Sequence, residues 1–282
     1  MNEDRSSDTA LGVTTIRAVH QVIDELPHLL EDPVSLLLLG EDAVRQIQGM
    51  PEQHQSMPSR ALRSHVVLRS RYAEDKLSQA VESGIRQFIN LGAGYDTFSF
   101  RQPPWARPLK IVEVDHPATQ SAKMQLIKRV GIEKPNSVEF VPLDLESGDL
   151  HASLVKTSLK LALPTFVACL GVLAYLRPVT VHKVFQSIAG MAKGSEFVFA
   201  FAPTQTEAQR GNGESMTTAE KAAALGEPWL TRFDLEELRG ELLKSGFGNV
   251  SFLIPADAEE LYYKGRRDLP APRRTRICRA II

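Results

Sequence analysis

The stretch Phe88–Phe100, FINLGAGYDTFSF, decides the fold predicted for this chain. Its short apolar run stops at two glycines, Gly92 and Gly94, and Asp96 follows at once. Glycines after a strand let the backbone turn tightly and let a ligand approach where a side chain would block it. In an open parallel sheet, ligands bind outside the carboxyl ends of the strands, so we expect this turn to line a ligand site. The alternative is that the glycines only shape a loop, because an isolated G-x-G is a weak signal.

Short β-rich apolar runs alternate with segments of helical period along the chain. This alternation is typical of an α/β fold with a mostly parallel sheet and helices on both faces. The final strand has only one predicted short helix before it, Ala256–Tyr263, and can run antiparallel at or near an edge. The seven predicted strands are Gln87–Leu91, Leu109–Val114, Val138–Pro142, Thr165–Leu170, Glu196–Phe201, Asn249–Ile254 and Arg274–Ile281.

Two amphipathic helices precede the first predicted strand. One spans Asp8–Leu26, with Asp8 or Thr9 as its capping residue. The other spans Ser59–Ser83, with apolar residues at spacings near three and four, and Gly84 stands at its C-terminal cap.

These helices predict an N-terminal helical cap over residues 1–84, followed by a ligand-binding core over residues 85–282. Within the core, the segment Thr204–Thr218 is rich in Gln, Gly, Asn, Ser and Thr, a composition that predicts a mobile loop. We therefore expect a substrate lid near residues 204–232.

Composition limits the classes of partner. The 282 residues carry a formal net charge of -1, so no broad field favours nucleic acid or an anionic membrane. Cys169 and Cys278 are too few for a disulfide framework or a cysteine-built metal site, and we predict no metal. The longest uncharged run, Leu161–Leu176, is shorter than the roughly 18 residues of a spanning helix. With a polar start rather than a secretion signal, we expect a cytoplasmic monomer or homodimer.

Acidic residues follow the second and third predicted strands. Asp115 lies 23 positions after Gly92, where a carboxylate can accept both ribose hydroxyls; the alternative is a helix N-cap before Pro117. Asp144 can accept from an adenine amino group while Leu145 packs on the ring.

A dinucleotide site is not indicated, because the third glycine of G-x-G-x-x-G is replaced by Thr97. A nicotinamide dehydrogenase is disfavoured for the same reason. The three strand ends together point to an adenosine ligand without a phosphate, and S-adenosylmethionine is the usual one.

At these residues the chain resembles the leucine carboxyl methyltransferase-like family of class I S-adenosylmethionine-dependent methyltransferases, in particular the bacterial branch that includes polyketide O-methyltransferases. The resemblance implies a Rossmann-like fold, S-adenosylmethionine as cofactor and O-methylation. Its motifs are TALGVTTIRAVH from Thr9, LEDPVS from Leu30, LRSRYAEDKL from Leu68, LGAGYDTFSFR from Leu91, VEVDHP from Val112, PLDLE from Pro142, LGVLAYL from Leu170 and GEPWLTRFDLEEL from Gly226.

The resemblance also implies which residues contact the cofactor. Gly92 and Gly94 match positions at the methionine portion. Asp115 matches the ribose ligand, and Asp144 with Leu145 matches the adenine site.

Basic residues of the predicted cap match further cofactor contacts. Arg69 matches the arginine that binds the cofactor carboxylate, with Arg71 as a near alternative. Arg17 matches a second basic contact, and its alternative is a surface charge on an amphipathic helix. Leu170 stands where many members carry a glutamate, so one polar cofactor contact is expected to be missing.

Methyl transfer from a sulfonium requires alignment and exclusion of water, and no nucleophilic side chain. A carboxylate acceptor is already ionised at neutral pH, whereas a phenol benefits from a general base. His116, beside Asp115, and Tyr175, at the end of the fourth-strand motif, are the candidate catalytic residues. A helix-surface or core position is the alternative for His116, and a core position for Tyr175.

Substrate specificity is expected from the cap, the lid, Tyr175 and Trp229, because strand-end loops carry specificity on such folds. A C-terminal basic cluster from Lys264 to Arg279 can bind an anionic substrate or a carrier protein, although a solvated surface is the favoured interpretation.

We predict an S-adenosylmethionine-dependent O-methyltransferase that acts on a carboxylate or hydroxyl of a small molecule, free or carrier-bound, in secondary (polyketide-type) metabolism. A carboxylate acceptor is favoured. The alternative is an enzyme of the same fold that catalyses a non-methylating step such as cyclisation.

Overall fold

Seven strands form one sheet within residues 6–204 and 218–282, the part of the chain that the computed structural model describes. The order across the sheet is β3-β2-β1-β4-β5-β7-β6. β7 is antiparallel to both of its neighbours, β5 and β6, and the other pairs are parallel. The strands are β1 Gln87–Leu91, β2 Lys110–Asp115, β3 Val138–Pro142, β4 Phe166–Cys169, β5 Glu196–Ala200, β6 Asn249–Phe252 and β7 Ile277–Ile281. The prediction of a seven-stranded, mostly parallel sheet is confirmed.

The last strand is shorter than predicted at its start. Its ladder with β5 begins at the pair Ala200–Ile277, so Arg274 to Arg276 precede the strand rather than belong to it. A strand exists only where a partner accepts its hydrogen bonds, and the apolar pattern alone does not show where that partner ends. The three residues thus form the end of the loop that leads into β7, and the carbonyl of Arg276 still accepts from the backbone N–H of Phe201.

Both faces of the sheet are buried, which explains the nearly continuous apolar runs of the strands. Ile89, Val167 and Phe197 pack into a core on one face, and their neighbours Phe88 and Phe166 pack into a second core on the other. The described helices are α1 Asp8–Ile23, α2 Pro33–Leu39, α3 Glu41–Gly49, α4 Met57–Glu82, α5 Pro117–Arg129, α6 Leu150–Leu154, α7 Pro178–Ala189, α8 Thr218–Ala224, α9 Leu235–Ser245 and α10 Pro255–Ala258.

The N-terminal helices differ from the prediction at their ends. α1 is capped by Ser7, whose hydroxyl accepts from the backbone N–H of Ala10, rather than by Asp8 or Thr9. Its last residue is Ile23, because Asp24 is extended. We propose that residues 1–84 act as a cap on the core formed by residues 85–282, since α1 packs on α2, α3 and α4 while α4 rests on β4 and β5.

Among the described residues, no helix has both the length and the apolar character needed to cross a membrane. Within the same ranges there is no group of three or more His, Cys, Asp or Glu side chains that could hold a metal ion.

Candidate active site

The glycine turn follows β1 at the carboxyl edge of the sheet. Both glycines have positive φ, 63° at Gly92 and 51° at Gly94. A side chain at Gly92 would overlap Val172, and a Cβ at Gly94 would lie 3.2 Å from Ala10 of α1. The backbone therefore requires glycine at both positions, and the loop after β4 and the start of α1 enclose the turn.

Asp115, the last residue of β2, is hydrogen-bonded to this turn. Its carboxylate accepts from the backbone N–H of Gly94, and also from that of His116 at 2.6 Å. Burial raises the pKa of Asp115 above its ordinary value. The alternative that Asp115 caps the next helix is wrong, because His116 is the N-cap and its Nδ1 accepts from Ala118 N at 3.3 Å.

Asp144 lies beside Asp115 at the same edge, since the backbone N–H of Leu143 donates to the carbonyl of Asp115 at 2.8 Å. The Asp144 carboxylate accepts from Glu146 N and from the Ser147 hydroxyl, both at 2.9 Å. It shapes a turn, and each oxygen keeps a second lone pair for a ligand. Leu145 is half-buried against the core on one face of the sheet.

Arg69 on α4 is a half-buried cation that extends toward the loop after β4. Its guanidinium lies so close to Gly171 that a Cβ there would overlap it. Its Nε is buried with no hydrogen-bond partner, and no ion pair of Arg69 is found among residues 6–204 and 218–282. Burial and the nearby charge of Arg17 lower the pKa of Arg69 to about 10, so it remains charged at neutral pH.

Arg71 lies on a different side of α4. Its guanidinium pairs with Asp75 at 2.8 Å and donates to the carbonyl of Leu29 at 3.2 Å. Two residues along a helix correspond to about 200° of rotation, so Arg69 and Arg71 cannot serve the same site. Arg69 is therefore the candidate for binding the cofactor carboxylate, and Arg71 is not.

Arg17 is buried, and the alternative of a surface charge is wrong. Its Nη2 donates to Asp96 at 2.6 Å and to the Ser70 hydroxyl at 2.6 Å. Its Nη1 also pairs with the Asp32 carboxylate at 3.5 Å. Arg101 pairs with the same carboxylate through its Nε. Arg17 thus joins α1 to the glycine turn through Asp96, and contact with a cofactor remains a proposal.

This ion network is a feature that sequence reasoning missed. Arg17 and Asp32 lie far from Asp96 and Arg101 in the chain, and the only signal was Asp96, the acidic residue two positions after Gly94. Burial alone would raise the pKa of Asp96, but the charges of Arg17 and Arg101 lower it to about 2.

We expect acid to weaken the protein through Asp96. The folded-state pKa of about 2 lies below the ordinary value of 3.8, so the stabilisation is complete above about pH 4 and is lost as pH falls through 2. Urea unfolding at pH 4 and pH 2 should show a decrease in the free energy of unfolding about 2 kcal/mol larger for the wild type than for Asp96→Asn. Equal decreases in the two proteins would contradict the assignment.

Leu170, Tyr175 and Trp229 lie around the loop that follows β4. Leu170 is half-buried against the second core. Tyr175 ends a short 3-10 turn, Leu173–Tyr175, and its electrostatic interaction with Arg69 partly offsets the lowering of the Arg69 pKa by burial and Arg17. Tyr175 is half-buried, so part of its side chain is exposed for substrate contact, and this role stays a prediction.

Trp229 lies beside the same loop, the one that follows β4. The backbone N–H groups of Leu230 and Thr231 donate to the carbonyl of Ala174 at 2.6 and 3.1 Å. The indole Nε1 of Trp229 is buried with no hydrogen-bond partner among the described residues, and the guanidinium of Arg232 lies 5.3 Å from the ring centre. Tyr175 and Trp229 therefore lie on the same side of the site, as candidates for substrate contact.

One segment of the predicted lid, residues 205–217, lies outside the described residues. The segment after it returns to the site, where Glu227 accepts from the hydroxyls of Ser7 and Thr9. A surface groove of about 720 Å³ between α7 and α9 lies on the outer helices, away from the strand ends, and we assign it no role.

Comparison with known proteins gives one family. The sequence model of the leucine carboxyl methyltransferase family matches residues 10–189. A putative S-adenosyl-L-methionine-dependent methyltransferase of Bacillus subtilis, YktD, is 29% identical over 290 residues, covering 95% of each chain.

Solved structures of other proteins share the fold. A DUF574 family protein from Streptomyces avermitilis superimposes with a TM-score of 0.57 and 15% identity, covering 99% of this chain and 98% of that one. PigF with SAH superimposes with a TM-score of 0.51 and 14% identity, covering 97% of this chain and 70% of that one. At such identities the likeness concerns the fold alone.

Proposed function

The chain belongs to the leucine carboxyl methyltransferase family, whose relatives are S-adenosylmethionine-dependent methyltransferases, and from that premise we propose that it methylates an oxygen of a small molecule. The acceptor is a carboxylate or hydroxyl in polyketide-type secondary metabolism. We propose that this acceptor binds either as a free molecule or attached to a carrier. The enzyme acts as a monomer or homodimer.

One observation carries the placement of the cofactor. Arg69 is a half-buried cation without a partner among the described residues, and it lies beside Gly171 and near the glycine turn. A buried charge is expensive unless it is paired, so the site fits a ligand that brings a carboxylate. The methionine end of S-adenosylmethionine carries one.

The other cofactor residues follow from their places along the sheet edge. Gly92 and Gly94 allow close approach, Asp115 would accept from the ribose hydroxyls, and Asp144 with Leu145 would hold the adenine. When bound, the cofactor supplies an electrophilic methyl group on a sulfonium. The residues of this chain then have to orient the acceptor and exclude water.

Exclusion of water is supported by contacts of the first turn of α1. Ala10 packs against Gly94, and Ser7 and Thr9 are hydrogen-bonded to Glu227. These contacts bridge the glycine turn and the segment that leads to Trp229. The cofactor and the acceptor would thus share one enclosed space.

Two histidines near this space, His116 and His65, are poorly suited to act as a general base. His116 already uses its Nδ1 to cap α5. Burial, Arg276 and Arg69 hold the pKa of His65 well below its usual range, so His65 is neutral at pH 7 and a poor proton acceptor. Tyr175 is placed to orient the acceptor by hydrogen bonding. A carboxylate acceptor, which needs no base, is therefore favoured over a phenol.

We expect a methyl ester as product and a rate nearly flat from about pH 6 to 9, since the acceptor is ionised above a pKa of about 4. The test incubates the enzyme with methyl-labelled S-adenosylmethionine and small-molecule extracts of its host, and treats the labelled product with mild alkali. An ester releases labelled methanol. A labelled product that survives alkali is an ether, and it would show that the acceptor is a hydroxyl rather than a carboxylate.

The same experiment addresses the alternative of a non-methylating reaction. Cyclisation on this fold would convert a substrate without transferring the label. If extract components are consumed in the presence of cofactor and no label leaves it, the methyltransferase proposal fails.

A further inference from the structure

The C-terminal basic cluster divides into paired and unpaired side chains. Lys264 pairs with Glu260 at 2.6 Å, and Arg266 pairs with Asp268 at 2.6 Å. Arg279 pairs with Glu196 at 2.8 Å. These three cations are neutralised within the protein and need no ligand.

Arg274 and Arg276 behave differently. Both are half-buried, and neither side chain has a hydrogen bond or ion pair within the two described ranges, 6–204 and 218–282. A solvated surface, which the sequence favoured, does not describe them. Partly buried cations without a counter-charge are costly, and a bound anion would offset that cost.

The fold puts Arg276 at the edge of the sheet where the ligand sites lie. It directly precedes β7, and its carbonyl accepts from the backbone N–H of Phe201, the residue after β5, at 2.9 Å. Because β7 is antiparallel, its start lies beside the carboxyl ends of the parallel strands. Neighbouring strands are about 4.8 Å apart, so Arg276 is about 10 Å along the edge from the end of β4, where Arg69 lies.

α4 links the two arginines. His65 and Arg69 are four residues apart and share one face of the helix. The charges of both Arg69 and Arg276 act on the half-buried His65 and lower its pKa. His65 is thus near both Arg69, where the cofactor carboxylate is expected, and Arg276.

Two more side chains border this space. Arg232 and Arg274 are close enough to Arg276 to lower its pKa together with burial. Arg232 lies over Trp229, whose buried Nε1 is a donor with no hydrogen-bond partner among the described residues. Hydrogen-bond donors of Arg232, Trp229 and Arg276 therefore lie on the acceptor side of the site.

We propose that Arg276, supported by Arg274 and Arg232, is an anion subsite of the methyl acceptor, so that the substrate is a small molecule with a carboxylate. The inference rests on the proposed function, because it assumes that methyl transfer occurs at the adjoining cofactor site. The carboxylate has two possible sources: the group that is methylated, or a second group that anchors the molecule.

The test measures binding of benzoate and of its uncharged counterpart benzamide to the full chain loaded with S-adenosylhomocysteine, by calorimetry. We expect benzoate to bind and benzamide to bind at least tenfold more weakly. Arg276→Gln should weaken benzoate binding about ten- to hundredfold, the range for losing a charge-assisted hydrogen bond. Arg276→Lys should retain part of the affinity, because it keeps the charge without the bidentate geometry.

Arg273→Gln is the matched control, because Arg273 is an exposed arginine of the same segment. It should leave benzoate binding unchanged. Equal losses in the Gln variants of Arg273 and Arg276 would indicate a general surface field and overturn the subsite, as would equal binding of benzoate and benzamide or no binding of either.

S-adenosylhomocysteine binding is the readout that separates the two proposals. Retained binding in all variants, with benzoate lost only in Arg276→Gln, supports the subsite. Failure of the wild type to bind S-adenosylhomocysteine would instead overturn the cofactor site. Among acceptors found with labelled cofactor, an ester product identifies the Arg276 ligand as the reacting group, and an ether that keeps a free carboxylate identifies it as an anchor.

Discussion

Arg69→Gln is expected to weaken S-adenosylmethionine binding by about 2 to 5 kcal/mol, the range for removing one partner of a buried charge pair. The cofactor-free protein should be as stable as the wild type or more stable, because the substitution removes a half-buried cation that has no partner among the described residues. Opposite effects on binding and stability distinguish a ligand-binding arginine from a structural one. Calorimetric titration and urea unfolding measure the two quantities.

Arg71→Gln on the same helix is the control. It breaks a half-exposed ion pair with Asp75 and should cost at most about 1 kcal/mol of stability, with unchanged cofactor affinity. If Arg69→Gln binds the cofactor as tightly as the wild type, the carboxylate lies elsewhere and the cofactor placement is wrong.

Gly92→Ala is expected to weaken cofactor binding and to reduce the rate of methyl transfer about a hundredfold, because a displacement of about 1 Å in the bound geometry has an effect of this size on the rate. Gly92 has a φ of 63°, and an added Cβ would overlap the side chain of Val172. The turn or the loop after β4 must then move. The strained backbone should also cost about 1 to 2 kcal/mol of folding stability.

Gly84→Ala separates the backbone cost from the binding effect. Gly84 also has a positive φ, 103°, but a Cβ there would meet nothing within 4 Å, and the residue lies at the opposite end of β1. We expect a similar loss of stability with unchanged cofactor affinity. Equal affinities in the two variants would show that the glycine turn does not line the cofactor site.

The acid prediction for Asp96 and the binding prediction for Arg69 concern connected parts of the site. Arg17 and Asp96 fix α1 to the glycine turn, whereas Arg69 has no ion pair with a carboxylate of the described residues. In the described part of the chain, the cation that supports the structure is thus neutralised, and the one beside Gly171 is not. We infer that Arg17 acts on the cofactor mainly by holding the turn.

Local patterns in the sequence determined the sheet and the order of the ligand-binding elements. The strand Gln87–Leu91 was predicted with its observed bounds, because its apolar residues are buried on both faces and the glycines that end it have no substitute at positive φ. Asp115 was placed at the end of β2 for a similar reason, since strand and turn chemistry are properties of adjacent residues. Such signals are local and can be read directly.

Only the tertiary structure decided which charged residues are free to bind. Arg17 and Arg69 both looked like cofactor contacts, yet Arg17 meets Asp96 and Asp32 while Arg69 meets no carboxylate among the described residues. Within the C-terminal basic cluster, Arg279 is paired through Glu196, and Arg276 is half-buried beside β5. The energy of a charge depends on counter-charges and burial contributed by distant segments, and these are set only when the sheet brings the segments together.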